Sequence, residues 1–173
     1  MLIVTAFGLG LFPGPPPAED FIVRINITIS NASNTQGNQT VPSNIGVPGG
    51  IWQTHTYDNY GLDGHYPVYA DPAPQYYPGY AVIHVRSKVV HQYTLGDFFN
   101  LWGWPLGQNL TLNRPAAVNG GPAGYQWWMC TYYNPNSPFS PNAPPQQGLW
   151  KDEILLNGKS ISLVYGNTGC MAG

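Results

Sequence analysis

Between Phe21 and Ile29 the chain alternates strictly: Phe21, Val23, Ile25, Ile27 and Ile29 fall on one side, Ile22, Arg24, Asn26 and Thr28 on the other. Period two marks a half-buried strand. Tyr80 to Ser87 repeats the pattern, with Ala81, Ile83 and Val85 set against Val82, His84 and Arg86. Val89 to Tyr93 is expected to continue it or pair with it. Ile51 to Tyr57 predicts a further strand, and Gly124 to Tyr133 an aromatic one carrying Trp127, Trp128, Tyr132 and Tyr133. Leu110 to Leu112 is short. Ile154 to Val164 predicts a hairpin turning at Asn157-Gly158, a pair suited to a type I′ turn. The period changes once. Leu95, Phe98, Phe99 and Trp102 follow helical spacing, Thr94 stands at the N-cap, Asp97 lies in the first turn, and Gly103 with Pro105 stops the run. Between these elements lie polar or Pro-rich stretches at 30–39, 40–48, 61–80 and 134–147. The 61–80 stretch reads as a long surface loop. Many short strands, Pro/Gly turns and one short helix predict an all-β fold, a β-sandwich of jelly-roll or Ig-like type.

The segment before the first strand has a different pattern. Residues 1–12 carry no charge and are followed by Pro13, Gly14, Pro15, Pro16 and Pro17. Ile3, Thr5, Phe7, Leu9 and Leu11 share one face of an extended chain; Leu2, Val4, Ala6, Gly8, Gly10 and Phe12 share the other. As a strand it would reach roughly 36 Å at about 3.3 Å per residue. A signal peptide would show a cationic start, which is absent, and a small residue just before Ala18, where Pro16 stands. A membrane-spanning helix needs roughly 20 apolar residues, more than the segment offers. The expectation is therefore a strand on a stiff proline spacer, buried in its own sheet or in that of another copy. Two units follow: an arm and spacer at 1–17, and a β domain at 18–173.

Composition sharpens this picture. Charged residues make up 8% of the 173 positions, against 43% hydrophobic; typical soluble domains carry about 25% charged. Little electrostatic repulsion then separates copies, which favours self-association. A net charge of -2 with 6 Lys and Arg excludes nucleic acid as an expected partner. Two cysteines, Cys130 and Cys170, predict one disulfide and an extracellular or cell-surface location. Asn-x-Ser/Thr sequons at Asn26, Asn31, Asn38 and Asn109 predict N-linked glycans that would solubilise a charge-poor surface.

Chemistry-bearing residues are sparse. His55, Asp58 and His84 form a candidate site for copper, zinc or calcium if the fold brings them together. Asp58 to Gly64 loosely matches a calcium loop but lacks the closing Glu. No Gly-x-Ser-x-Gly elbow and no His-Glu-x-x-His motif occurs, and no enzyme activity is expected. The abundance of aromatics, 12 Tyr and 6 Trp, suits subunit interfaces and also sugar stacking.

Four stretches together resemble a pattern found in uncharacterised prokaryotic cell-surface domains: Pro42 to Val47, His55-Thr56-Tyr57-Asp58, Val82 to Ser87, and Thr94 to Gly103. The corresponding motifs there are an Ile-Gly turn, a His-Thr-His-Asp piece, an Ile-His-Val-Glu-Ser strand and a Thr-Leu-Gly-x-Phe-Phe-x-x-Trp-Gly helix. The likeness covers roughly residues 20 to 165. This sequence departs from it at Tyr57, where the pattern has a second His, and in a Pro/Tyr-rich insertion between Asp58 and His84. The resemblance implies a surface location rather than a chemistry. The arm-plus-sandwich plan is also similar to archaeal pilus and thread subunits that join by donor-strand complementation. The function expected is an extracellular filament subunit, a head-to-tail homopolymer in which Leu2, Ile3, Val4, Phe7, Leu9, Leu11 and Phe12 enter the next copy. The alternative is a monomeric secreted domain that binds a metal or carbohydrate.

Overall fold

A computed structural model describes residues 16–30, 36–71, 80–140, 145–167 and 169–170. The apolar arm, with Leu2, Ile3, Val4, Phe7, Leu9, Leu11 and Phe12, lies outside the described residues, as does Asn31.

The alternating segment forms the central strand β1, Glu19–Ser30. The other strands are β2 (Gln36–Asn38), β3 (Val68–Asp71), β4 (Ala81–Ser87), β5 (Leu110–Thr111), β6 (Arg114–Pro115), β7 (Gln126–Tyr132), β8 (Gln146–Gln147) and β9 (Ser160–Gly166). The main sheet runs β3-β4-β1-β9-β7-β8, with β2 also on β1; β5 and β6 pair separately. β1 is antiparallel to β4 and parallel to β9, while β7 is antiparallel to β9. The sheet is therefore mixed, and the chain is mostly β with one α-helix among the described residues.

The inner sheet face is continuous across this register. Val23 and Ile25 stand opposite Ile83 and Ala81, and Ile25 and Ile27 opposite Ile161 and Leu163; Leu163 in turn faces Met129. α1 (Leu95–Trp102) supplies the opposing apolar surface, burying Leu95, Phe98, Phe99, Leu101 and Trp102. Its ends are set locally. Thr94 Oγ1 accepts from the Asp97 N–H while Asp97 Oδ2 accepts from the Thr94 N–H, a capping box. Gly103 closes the other end in the left-handed region at φ 83°, where a side chain is disfavoured.

Three expected elements come out differently. Ile51 to Tyr57 is not a strand: Ile51 makes one isolated bridge to Ile45, and a 3-10 turn follows at Asp58–Tyr60. The 61–80 stretch is not all surface loop, because β3 lies within it and Tyr66, Val68, Tyr69 and Ala70 are buried. Ile154 to Val164 is not a hairpin. Ile154 instead bridges Thr94, the Leu155 N–H donates to Tyr93 O, and β9 lies between β1 and β7. The turn at Asn157-Gly158 closes with a single hydrogen bond, from the Lys159 N–H to Leu156 O at 3.0 Å, and the residues beyond it pair with neighbouring segments instead of with each other.

Candidate functional site

The outer sheet face is built in rows by the same register. Trp128, Val164 and Thr28 form one row, and Cys130, Ser162 and Asn26 the next. Tyr132, Ser160, Arg24 and Val82 follow, then Ile22, His84 and Tyr69. Solvent-facing sheet faces are ordinarily polar. Here Val82 is 0% exposed, while Ile22, Val164 and Trp128 are half-buried. Part of the cover is visible. The Arg24 Nη2 donates to Phe139 O at 2.8 Å, and the guanidinium lies over the Phe139 and Tyr80 rings at 4.4 and 5.0 Å. Gly169 sits close over the Trp128 ring. The Cys130–Cys170 disulfide predicted above is present and crosses this face, tying the 169–170 segment to β7. Two polar atoms on the face, Asn26 Oδ1 and Trp128 Nε1, are buried and meet no hydrogen-bond partner among the described residues.

The candidate glycan sites differ in setting. Asn109 is exposed. Asn26 is half-buried in the middle of β1, with its carbonyl oxygen buried, a position that leaves little room for a sugar. Asn38 pairs with Thr28 in β2, and its side chain is not among those described.

His55 and Asp58 come together, with Nδ1 and Oδ2 at 2.8 Å, both well exposed. Trp52 Nε1 donates to the other carboxylate oxygen at 3.0 Å. His84 instead stacks on Tyr69 with ring centroids 5.0 Å apart. Among the described residues no group of three His, Cys, Asp or Glu side chains is gathered as a metal site. Asp63, the other carboxylate of the possible calcium loop, accepts from Arg86 Nη1 at 2.6 Å.

Around the His55–Asp58 pair lies an aromatic cluster. The Tyr57 ring is 5.6 Å from Tyr60, 4.8 Å from His91, 5.7 Å from Tyr93 and 6.2 Å from Tyr66. Burial raises the Tyr57 phenol above its ordinary pKa, and the Asp97 carboxylate and Tyr60 add to the rise. Burial also pushes Tyr93 up to about 12, against the hydrogen bond it shares with Ser87. Tyr66 rises for the same leading reason. The Tyr57 backbone lies near enough to its hydroxyl to oppose that rise but not in hydrogen-bond geometry. Tyr57 of the 55–58 motif thus meets His91 and Tyr93, which lie just before the 94–103 motif. Half-exposed Tyr57, Tyr60 and His91 offer ring faces beside a carboxylate, an arrangement able to stack a sugar ring and bind its hydroxyls.

A third feature was not anticipated from the sequence. Ser30, Asn113, Arg114, Pro115, Pro122, Tyr125 and Tyr165 line a cleft of about 410 Å³ at the Ser30 end of β1. Its residues come from four separate stretches, and only the shared face of Tyr125 and Trp127 on an alternating strand hinted at part of its wall. Compared with known proteins, the chain matches no family model, no curated protein and no solved structure.

Proposed function

We propose that the protein is a structural subunit of an extracellular filament, polymerised head to tail when the arm of one copy lies on the outer sheet face of the next. The supporting observation is that face itself. It carries Ile22, Val164 and Trp128, apolar side chains left half-buried where a solvent-facing sheet face is ordinarily polar. The arm also has the matching length: roughly 36 Å as a strand, like the 12 residues of β1. Burying Ile3, Phe7, Leu9 and Leu11 contributes about 6–12 kcal/mol gross, at about 1.5–3 kcal/mol per side chain. Because such an insertion is heterologous, repetition without closure gives a fibre. The low charge, the disulfide and the exposed Asn109 sequon suit an extracellular setting.

The test is deletion of residues 1–14. Full-length protein forms filaments in negative-stain images and sediments; the deleted chain does neither. Filaments from the deleted chain, or a full-length chain that stays monomeric at every concentration, would overturn the proposal. A second reading, a carbohydrate-binding domain, draws on the ring faces of Tyr57, Tyr60 and His91 beside Asp58. It predicts glycan-array binding by the monomer that is lost in Tyr57→Ala.

A further inference from the structure

The cleft at the Ser30 end is held open by its own hydrogen bonds. β5 and β6 are joined by Leu112 and Asn113 at φ 52° and 57°, a tight two-residue turn that presents Asn113 and Arg114. Two ring donors clamp β6 from the other side: Trp127 Nε1 donates to Arg114 O at 2.8 Å, and the Tyr165 hydroxyl to Pro115 O at 2.9 Å. The Tyr125 and Tyr165 rings pack 5.5 Å apart, and Tyr165 lies 5.0 Å from Trp127. The result is a preformed aromatic wall with exposed Arg114 and Asn113 at the rim.

Aromatic walls of this kind accept polyproline helices, whose rings pack on the aromatics and whose pre-set backbone loses little entropy. Each proline presents a carbonyl acceptor and no N–H. The rim is complementary, since the Arg114 guanidinium, the Asn113 amide and the Ser30 hydroxyl are all donors. The chain carries such a segment at Pro13, Gly14, Pro15, Pro16 and Pro17.

Its position decides whose cleft it enters. Pro13 lies six residues before Glu19, a reach of at most about 20 Å. The cleft is at the far end of the 12-residue β1, roughly 36 Å from Glu19. No copy reaches its own cleft with this segment. We infer that the cleft of Ser30, Arg114, Tyr125 and Tyr165 is the receptor for the Pro13–Pro17 spacer of a second copy. This rests on the filament reading and places the docked spacer at the Ser30 end of the sheet.

The test places a photo-crosslinking p-benzoylphenylalanine at position 125 of the full chain and assembles an equal mixture of ordinary and ¹⁵N-labelled copies. Expected are mixed-isotope crosslinks joining position 125 to residues 13–17. Filaments whose position 125 crosslinks elsewhere, or not at all, overturn the cleft assignment and leave the filament reading standing. A full chain that never assembles overturns both. Tyr125→Ala should raise the concentration needed for assembly about tenfold, the loss of one interface anchor. The triple variant Pro13→Gly, Pro15→Gly, Pro16→Gly changes the docking segment rather than the cleft and should raise it likewise. Unchanged assembly by that variant refutes the inference even if Tyr125→Ala misfolds.

Discussion

Replacing Lys159 with methionine should destabilise the protein more than most single changes, because it strands a buried charge. Lys159 Nζ lies 2.6 Å from Glu153 Oε1, and it also donates to Ile154 O at 2.6 Å. The two side chains are 8% and 7% exposed. Glu153 Oε2 has one further donor, the Leu149 N–H at 2.8 Å. Without the ammonium group, the carboxylate remains in a nearly dry site with a single neutral donor. Breaking a buried pair by removing one partner costs about 3–5 kcal/mol. For a chain of this size each kcal/mol shifts the melting temperature by about 2–4 °C, so Lys159→Met should melt roughly 6–20 °C lower. Adding Glu153→Gln removes the stranded charge while keeping an acceptor for Leu149. The double variant should therefore recover much of the loss and be more stable than Lys159→Met alone. Urea unfolding followed by tryptophan fluorescence measures both. A cost below about 1 kcal/mol for Lys159→Met, or a double variant showing the plain sum of the two single effects, would show that the pair is not coupled in this way. The stakes extend beyond the pair. The Leu95 N–H donates to Glu153 O, so the same short segment anchors the start of α1 and the approach to β9.

Two further predictions follow from covalent and acid-base chemistry. Reducing the Cys130–Cys170 bond, with its separation of 40 residues, should lower stability by about 4 kcal/mol in the loop-entropy estimate and free the 169–170 segment from the outer face; Cys170→Ser should match the reduced wild type in urea unfolding, and equal stability with and without reductant would refute it. Because burial raises Tyr93 to about 12 while the unfolded phenol titrates near 10, folding favours the protonated form. The stabilisation is full below about pH 10 and fades as pH rises toward about 12. The melting temperature should drop across that window together with late phenolate absorbance at 295 nm, and Tyr93→Phe should flatten the drop.

Local signals carried the parts of this fold that are locally determined. β1 and β4 were legible because alternation alone says which side chains are buried, and the register confirms that Val23, Ile25, Ile83 and Val85 share the inner face. α1 was legible because Thr94, Asp97 and Gly103 set both ends within ten residues. The disulfide was legible because only two cysteines exist to pair. Long-range choices were not. Nothing near Ser160 says that β9 pairs in parallel with β1 rather than folding back across Asn157-Gly158. Nothing in the 61–80 stretch says that a short strand will cap β4, because its burial comes from Ile45, Gly46 and α1. Positive φ at Leu112 has no compositional signature either, so the turn that aims Arg114 into the cleft could not be read in advance.

The sequence by itself therefore determined a β-rich chain with one capped helix, a single disulfide, few charges and a charge-free apolar stretch followed by a proline-rich one. Those properties belong to residue type and to spacing within one element. Only the tertiary structure separated His84 from His55 and Asp58, gathered Tyr57, Tyr60, His91 and Tyr93 in one aromatic cluster, and set a donor-rimmed cleft at the end of β1 opposite the spacer. Each is a matter of which strands become neighbours, and that is decided by the joint burial of many side chains distant in the chain.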